Sequence, residues 1–130
     1  MKDGIMKTFA NLLTVVVLLI VGCINDQVKE KETSQFGSPY SLLQTQTQPS
    51  LTIDSLFVKV GYSGCSGNHA FSLKYRVISS IVEVWLYKEM NGQICDAYFE
   101  ESKAFALSNE VRNSSKVILL GPLDKRFALK

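Results

Sequence analysis

Alternation of apolar and polar side chains from Leu51 onward constrains the fold more than any other feature of the chain. Leu56, Val58, Val60 and Tyr62 alternate with Phe57, Lys59 and Gly61. Phe71, Leu73, Tyr75 and Val77 alternate with Ala70, Ser72, Lys74 and Arg76. Successive side chains on a strand point to opposite faces, so a period of two predicts strands with one buried face, not helices. Gly61, Gly64 and Gly67, with Ser63, Ser66 and Asn68, form the turn region between these two strands.

Asn91-Gly92 is a strong hairpin signal, because both loop positions of a type I′ turn need positive φ. With those residues as the loop, Leu86 faces Ala97, Val84 faces Phe99 and Lys88 faces Cys95 on one face, which reads as core. Trp85 then faces Tyr98 and Tyr87 faces Asp96 on a wetter face. The opposite choice would bury Glu83, Glu100 and Asp96 without partners. Further along, residues 103–107 read as a short strand and Ser108 as the cap of one helical turn. Lys116 to Leu120 reads as a strand buried on both sides, broken by Gly121-Pro122, and Arg126 to Leu129 as an edge strand. Residues 51–130 are thus expected to form an all-β domain. It would be a small antiparallel β-sandwich of about six or seven short strands, with turns every roughly 8–12 residues.

Composition agrees. A chain of 130 residues has room for one domain. With 46% hydrophobic and 20% charged residues, the chain as a whole is not intrinsically disordered. The net charge is +2, from 14 basic and 12 acidic residues, and no basic stripe points to nucleic acid. One histidine in the whole chain leaves few metal or acid–base constellations.

The N-terminal residues follow another rule. Phe9 to Val21 is an apolar run preceded by Lys2 and Lys7 and closed by Gly22. It is shorter than the roughly 20 residues a bilayer-spanning helix needs. A basic start, a short apolar run and a small residue make a secretory signal peptide over 1–22. Met6-Lys7 would also serve as a start. The run ends in Ile20-Val21-Gly22-Cys23, which resembles the lipobox of bacterial lipoproteins. That family usually has Leu and then Ser or Ala at the first two positions, where this chain has Ile20 and Val21. The resemblance implies cleavage before Cys23, a diacylglycerol on its sulfur and a third acyl chain, such as palmitate, on the new amino group. Anchoring then runs through lipid in the membrane, at roughly 0.8 kcal/mol per buried methylene. Ile24, in place of an Asp that retains some lipoproteins at the inner membrane, favours the outer membrane. Residues 23–50 are polar, with Pro39 and Pro49, and read as a flexible tether with a reach of roughly 25–30 Å. The alternative is that residues 40–43 pack on the domain as an edge element.

Given that resemblance, Cys23 takes lipid, and Cys65 and Cys95 are left to pair as a disulfide in an oxidising compartment. The rival is a metal or redox site from Cys65, His69 and Cys95, one ligand short of a structural zinc centre. Ser63 or Ser66 with His69 would make a nucleophile and base, but no third group orients them. The glycine-rich run from Gly61 to Gly67 lacks the Lys and following helix of a phosphate loop. Glu100 and Glu101, adjacent on a strand, point to opposite faces and read as a solvated strand end. Trp85, Tyr87 and Tyr98 form a candidate binding face, unless a second layer covers them. The run from Gly64 to Phe71, with Cys95 and Ala97, loosely resembles small bacterial lipoproteins with a β-sandwich body and implies no activity. The expectation is a membrane-anchored, non-catalytic module, without cofactor or metal, that binds an envelope protein or glycan. The alternatives are a small envelope enzyme using His69 and a protease-inhibitor-like sandwich.

Overall fold

The computed structural model describes residues 34–90, 92 and 95–130. The signal peptide, the lipobox with Cys23, and Asn91 lie outside the described residues. The remainder folds as two packed sheets. The first holds β1 (Ser41–Leu43), β2 (Ser50–Leu51), β3 (Ser55–Gly64) and β6 (Ala97–Ala106). The second runs in the order β4 (Phe71–Ile78), β5 (Ile81–Lys88), β7 (Lys116–Gly121), β8 (Lys125–Ala128). A short helix, α1 (Asn109–Asn113), links β6 to β7, and Ser108 stands at its N-cap. The all-β sandwich expected from the alternation is the architecture found. One pairing is parallel, β5 with β7, so the second sheet is mixed. Parallel neighbours need a crossover, which here passes through β6 and α1.

The core is the set of inward positions the alternation marks. Leu56, Val58, Val60 and Tyr62 of β3 are at most 2% exposed. They meet Val82, Val84 and Leu86 of β5 and Val117 and Leu119 of β7, all buried. Complete burial of each such side chain contributes roughly 1.5–3 kcal/mol. β7 is central, and its outward Leu120 is buried as well. On β4, Phe71 and Leu73 are half-buried, whereas Tyr75 and Val77 are exposed although they lie on the core side. β4 is an edge strand whose second half the facing sheet leaves uncovered.

Three expectations need correction. The hairpin through Asn91-Gly92 does not form. β5 pairs with β4 through a two-residue turn at Ser79-Ser80, with Ile78 opposite Ile81. Its other edge takes β7. Both edges of β5 are therefore occupied, and β6 joins β3 in a ladder running from Ser55↔Ala106 to Gly64↔Ala97. The domain also starts earlier than Leu51. Phe36, Tyr40 and Leu42 are buried, β1 pairs with β3, and the Tyr40 hydroxyl donates to the Leu86 carbonyl at 2.7 Å. Residues 40–43 thus pack on the domain as the edge element given as the alternative, and residues 36–51 belong to the domain instead of the tether. Finally, Glu83 is 6% exposed despite its place on the outer face of the second sheet. Arg76 closes on it at 2.6 Å and Arg126 at 3.6 Å, which supplies the partners its burial requires.

Candidate functional site

Cys65 and Cys95 form a disulfide with their Cα atoms 4.8 Å apart. Cys65 follows the last residue of β3 and Cys95 precedes β6. The bond therefore clasps the end of the β3–β6 ladder, where the chain has just crossed between sheets. Both cysteines are exposed, so Cys95 does not face the core as the hairpin register would have it. A bonded pair also removes two ligands from the metal reading. Among the described residues no cluster of three or more His, Cys, Asp or Glu could hold a metal ion.

Beside the disulfide the inward positions turn polar. Tyr62 of β3, Lys88 of β5 and Glu101 and Lys103 of β6 meet His69 from the β3–β4 loop. Glu101 accepts the Asn68 N–H at 2.6 Å and pairs with Lys103 at 2.6 Å. The Tyr62 hydroxyl accepts the His69 N–H at 3.1 Å and donates to Glu101. Burial pushes the Glu101 carboxyl up. The Asn68 N–H, Lys103 and Tyr62 outweigh it and hold the group at about 2. Burial raises the Tyr62 phenol.

His69 is 7% exposed and stacks on the Tyr62 ring at 4.5 Å. Its imidazole lies so close to Gly64 that a Cβ there would collide with it. Burial first, then the Lys88 charge, pushes its pKa down, so it is neutral at pH 7. Lys88 is 3% exposed, and burial lowers its pKa too. Its ammonium sits 5.0 Å from the centre of the Tyr62 ring. No ion pair to Lys88 occurs among the described residues. The cluster thus holds two ammonium groups against one carboxylate.

Lys88 and Tyr62 line a groove of about 550 Å³ that also takes in Ser41, Gly61, Met90 and Tyr98. Tyr98 lies on the outer face of β6 and is 56% exposed. Its hydroxyl reaches over Gly61, where a Cβ would displace it. A larger concavity of about 700 Å³ lies at the opposite end, beside α1. Its cations are already engaged: Arg112 donates to Asn109, and Lys130 to the Arg112 carbonyl.

The expected aromatic face is divided. Trp85 and Tyr87 lie on β5 in the second sheet, both half-buried, and Arg76 stacks over the Trp85 ring at 5.8 Å. Tyr98 lies in the first sheet and lines the groove. The division follows from the pairing of β6 with β3. Glu100 and Glu101 do point to opposite faces. Glu100 pairs with Lys59 at 2.7 Å outside, while Glu101 belongs to the internal cluster and is no solvated strand end. Sequence reading missed Tyr62, Lys88 and Lys103 as site residues. The available signal was Glu101-x-Lys103, two opposite charges on one strand face. Comparison with known protein families, characterised proteins and solved structures finds no match to this chain.

Proposed function

We propose that the chain is a lipid-anchored bacterial envelope protein whose β-sandwich binds a partner and catalyses nothing. The observation that carries this reading is the Cys65–Cys95 disulfide. It accounts for two of the three cysteines and leaves Cys23, at the end of the apolar run, for the lipid. Exposed disulfides belong to oxidising compartments outside the cytoplasm, which fits export through the segment that precedes Cys23. Anchoring at the outer membrane, with an envelope protein or glycan as partner, completes the proposal.

The non-catalytic part rests on the polar cluster. A general base has to reach a substrate proton at hydrogen-bond distance. The single histidine instead lies buried against Tyr62 and Gly64, and Glu101 is engaged by Asn68, Tyr62 and Lys103. These contacts favour a rigid polar plug over an acid–base pair.

Mass spectrometry of membrane-extracted protein tests the anchor. The mature chain should begin at Cys23 and carry the added mass of its acyl groups. Cys23→Ser should abolish both the modification and the cleavage. A mature N-terminus elsewhere with an unmodified Cys23 would end the lipoprotein reading.

A further inference from the structure

Met90, Tyr98 and Leu123 stand exposed at the end of the sandwich where the chain enters from Ser34. We infer that this end rests on the bilayer surface, with Met90 and Leu123 in the lipid interface and Tyr98 beside them. The inference rests on the lipid-anchor reading above.

Topology brings the three together. Gly37 bridges to Lys88, the last residue of β5, and the Phe36 ring meets Tyr40 at 6.4 Å. The chain from Ser34 therefore enters at the end that holds the disulfide. Met90, two residues past Lys88, is 71% exposed. β7 runs parallel to β5 as its neighbour, so the turn from β7 into β8, Pro122-Leu123-Asp124, lies at the same end. Leu123 is 75% exposed. Tyr98 pairs with Ser63 near the end of β3 and lines one groove with Met90.

Leucine is disfavoured in that turn. Leu123 has φ 60° and Asp124 φ 55°, left-handed values that Gly or Asn adopt at least cost. The side chain also lies outside the packed core. Transfer into lipid is the change of surroundings that would favour it. Tyr98, with an apolar ring and a polar hydroxyl, suits the headgroup level.

The chain before Ser34 sets the orientation. Residues 24–33 are all that separates Cys23 from Ser34, and they span at most about 40 Å when fully extended. A compact domain of this size is about 30 Å across. The α1 end reaches the bilayer only if that segment is stretched along the whole domain, whereas the Met90 and Leu123 end lies at its attachment. Charge selects the lipid. Around the three side chains, exposed Lys125 and Arg126 stand against exposed Glu89, Asp96 and Asp124. These leave no cationic excess for anionic headgroups, so the surface that fits is zwitterionic.

Fluorescence quenching by brominated phosphatidylcholine tests this on the mature, lipidated protein in phosphatidylethanolamine–phosphatidylcholine vesicles. Leu123→Trp and Ile53→Trp each add one reporter, read against the parent protein, whose single tryptophan is Trp85. Ile53 is the control, because it is 89% exposed beside the concavity at the α1 end. Insertion driven by the added indole itself would appear at both sites. Leu123→Trp should be quenched about threefold or more above Ile53→Trp, and adding Met90→Ser should cut that excess about twofold. Salt at about 0.5 M should leave the excess in place. Equal quenching at the two sites, or none at either, would overturn the docking face. An excess that salt abolishes would assign the contact to charge and overturn it too. Mass spectrometry of the same sample reads the anchor separately. An unmodified Cys23 removes the lipoprotein reading, and lipid on Cys23 without selective quenching removes this face alone.

Discussion

Acidification, read against Glu101→Gln, tests the polar cluster quantitatively. The Glu101 carboxyl falls from its ordinary value of 4.5 to about 2 in the folded protein. A carboxyl depressed by folding stabilises the native state above its unfolded value, and that contribution disappears as the pH falls through the folded one. A gap of about 2.5 pH units corresponds to about 3 kcal/mol. The side chain keeps 19% of its surface in water, which screens the ion pair and brings the expectation nearer 2 kcal/mol.

Gln keeps the shape and can still accept the Asn68 N–H and the Tyr62 O–H, but it leaves Lys103 without its partner. Urea unfolding at pH 7 should therefore show Glu101→Gln less stable than wild type by about 2 kcal/mol. That difference should shrink as the pH falls below about 5, to roughly half by about pH 3, and vanish as the pH passes through about 2, because over this range only the wild type takes up the extra proton on unfolding. The remaining carboxylates titrate in both proteins and cancel in the comparison. A stability difference that stays constant across this range would refute the charge-based account and leave packing as the source.

Two other substitutions follow from the fold. Cys65→Ala with Cys95→Ala opens a cross-link between residues 30 apart and should lower stability by roughly 3–4 kcal/mol in the chain-entropy account, measured by denaturant unfolding; a loss under 1 kcal/mol would contradict it. Ser79, at φ 56°, holds a left-handed conformation in the turn between β4 and β5. Ser79→Gly should therefore raise stability by about 0.5–1 kcal/mol, and a fall in melting temperature would count against the turn geometry.

The strands were legible because side-chain alternation is a local consequence of the pleat. It marks Leu56, Val58, Val60 and Tyr62 as inward without any knowledge of partners, and all four are buried. Strand pairing is not local. Asn91-Gly92 has the composition of a hairpin turn, and Ser79-Ser80 does not, yet the hairpin closes at the serines. Positive φ at Ser79 is tolerated because eight cross-strand pairs, from Phe71↔Lys88 to Ile78↔Ile81, hold the turn in place. The same limit left the edge element at residues 40–43 as no more than an alternative to the tether, and left Phe36 unmarked. Phe36, Tyr40 and Leu42 are scattered among polar residues and show no period. Each finds a buried place only because the second sheet supplies a surface, as the Tyr40 hydroxyl does on the Leu86 carbonyl.

The core is divided along its length, and the division sets an apolar end against an end that holds the polar cluster. Near α1, the inward positions are Leu56, Val82, Leu107, Val111 and Val117, all apolar and buried. These side chains supply hydrophobic stabilisation at that end. Near the disulfide, the same stripes end in Tyr62, Lys88 and Glu101, joined by His69 from the loop. A polar cluster adds stability only when its members are fully engaged, and is unfavourable otherwise. The disulfide and the Asn68 contact to Glu101 hold the loop over the cluster, which fixes Glu101, Tyr62 and His69 in mutually satisfied positions. Lys88 stands apart from that arrangement. It is buried as deeply as the others, and among the described residues the Tyr62 ring face is what meets its charge. A charged side chain at the end of the inward stripe of Val82, Val84 and Leu86 is where the pattern of β5 departs from the apolar core it continues.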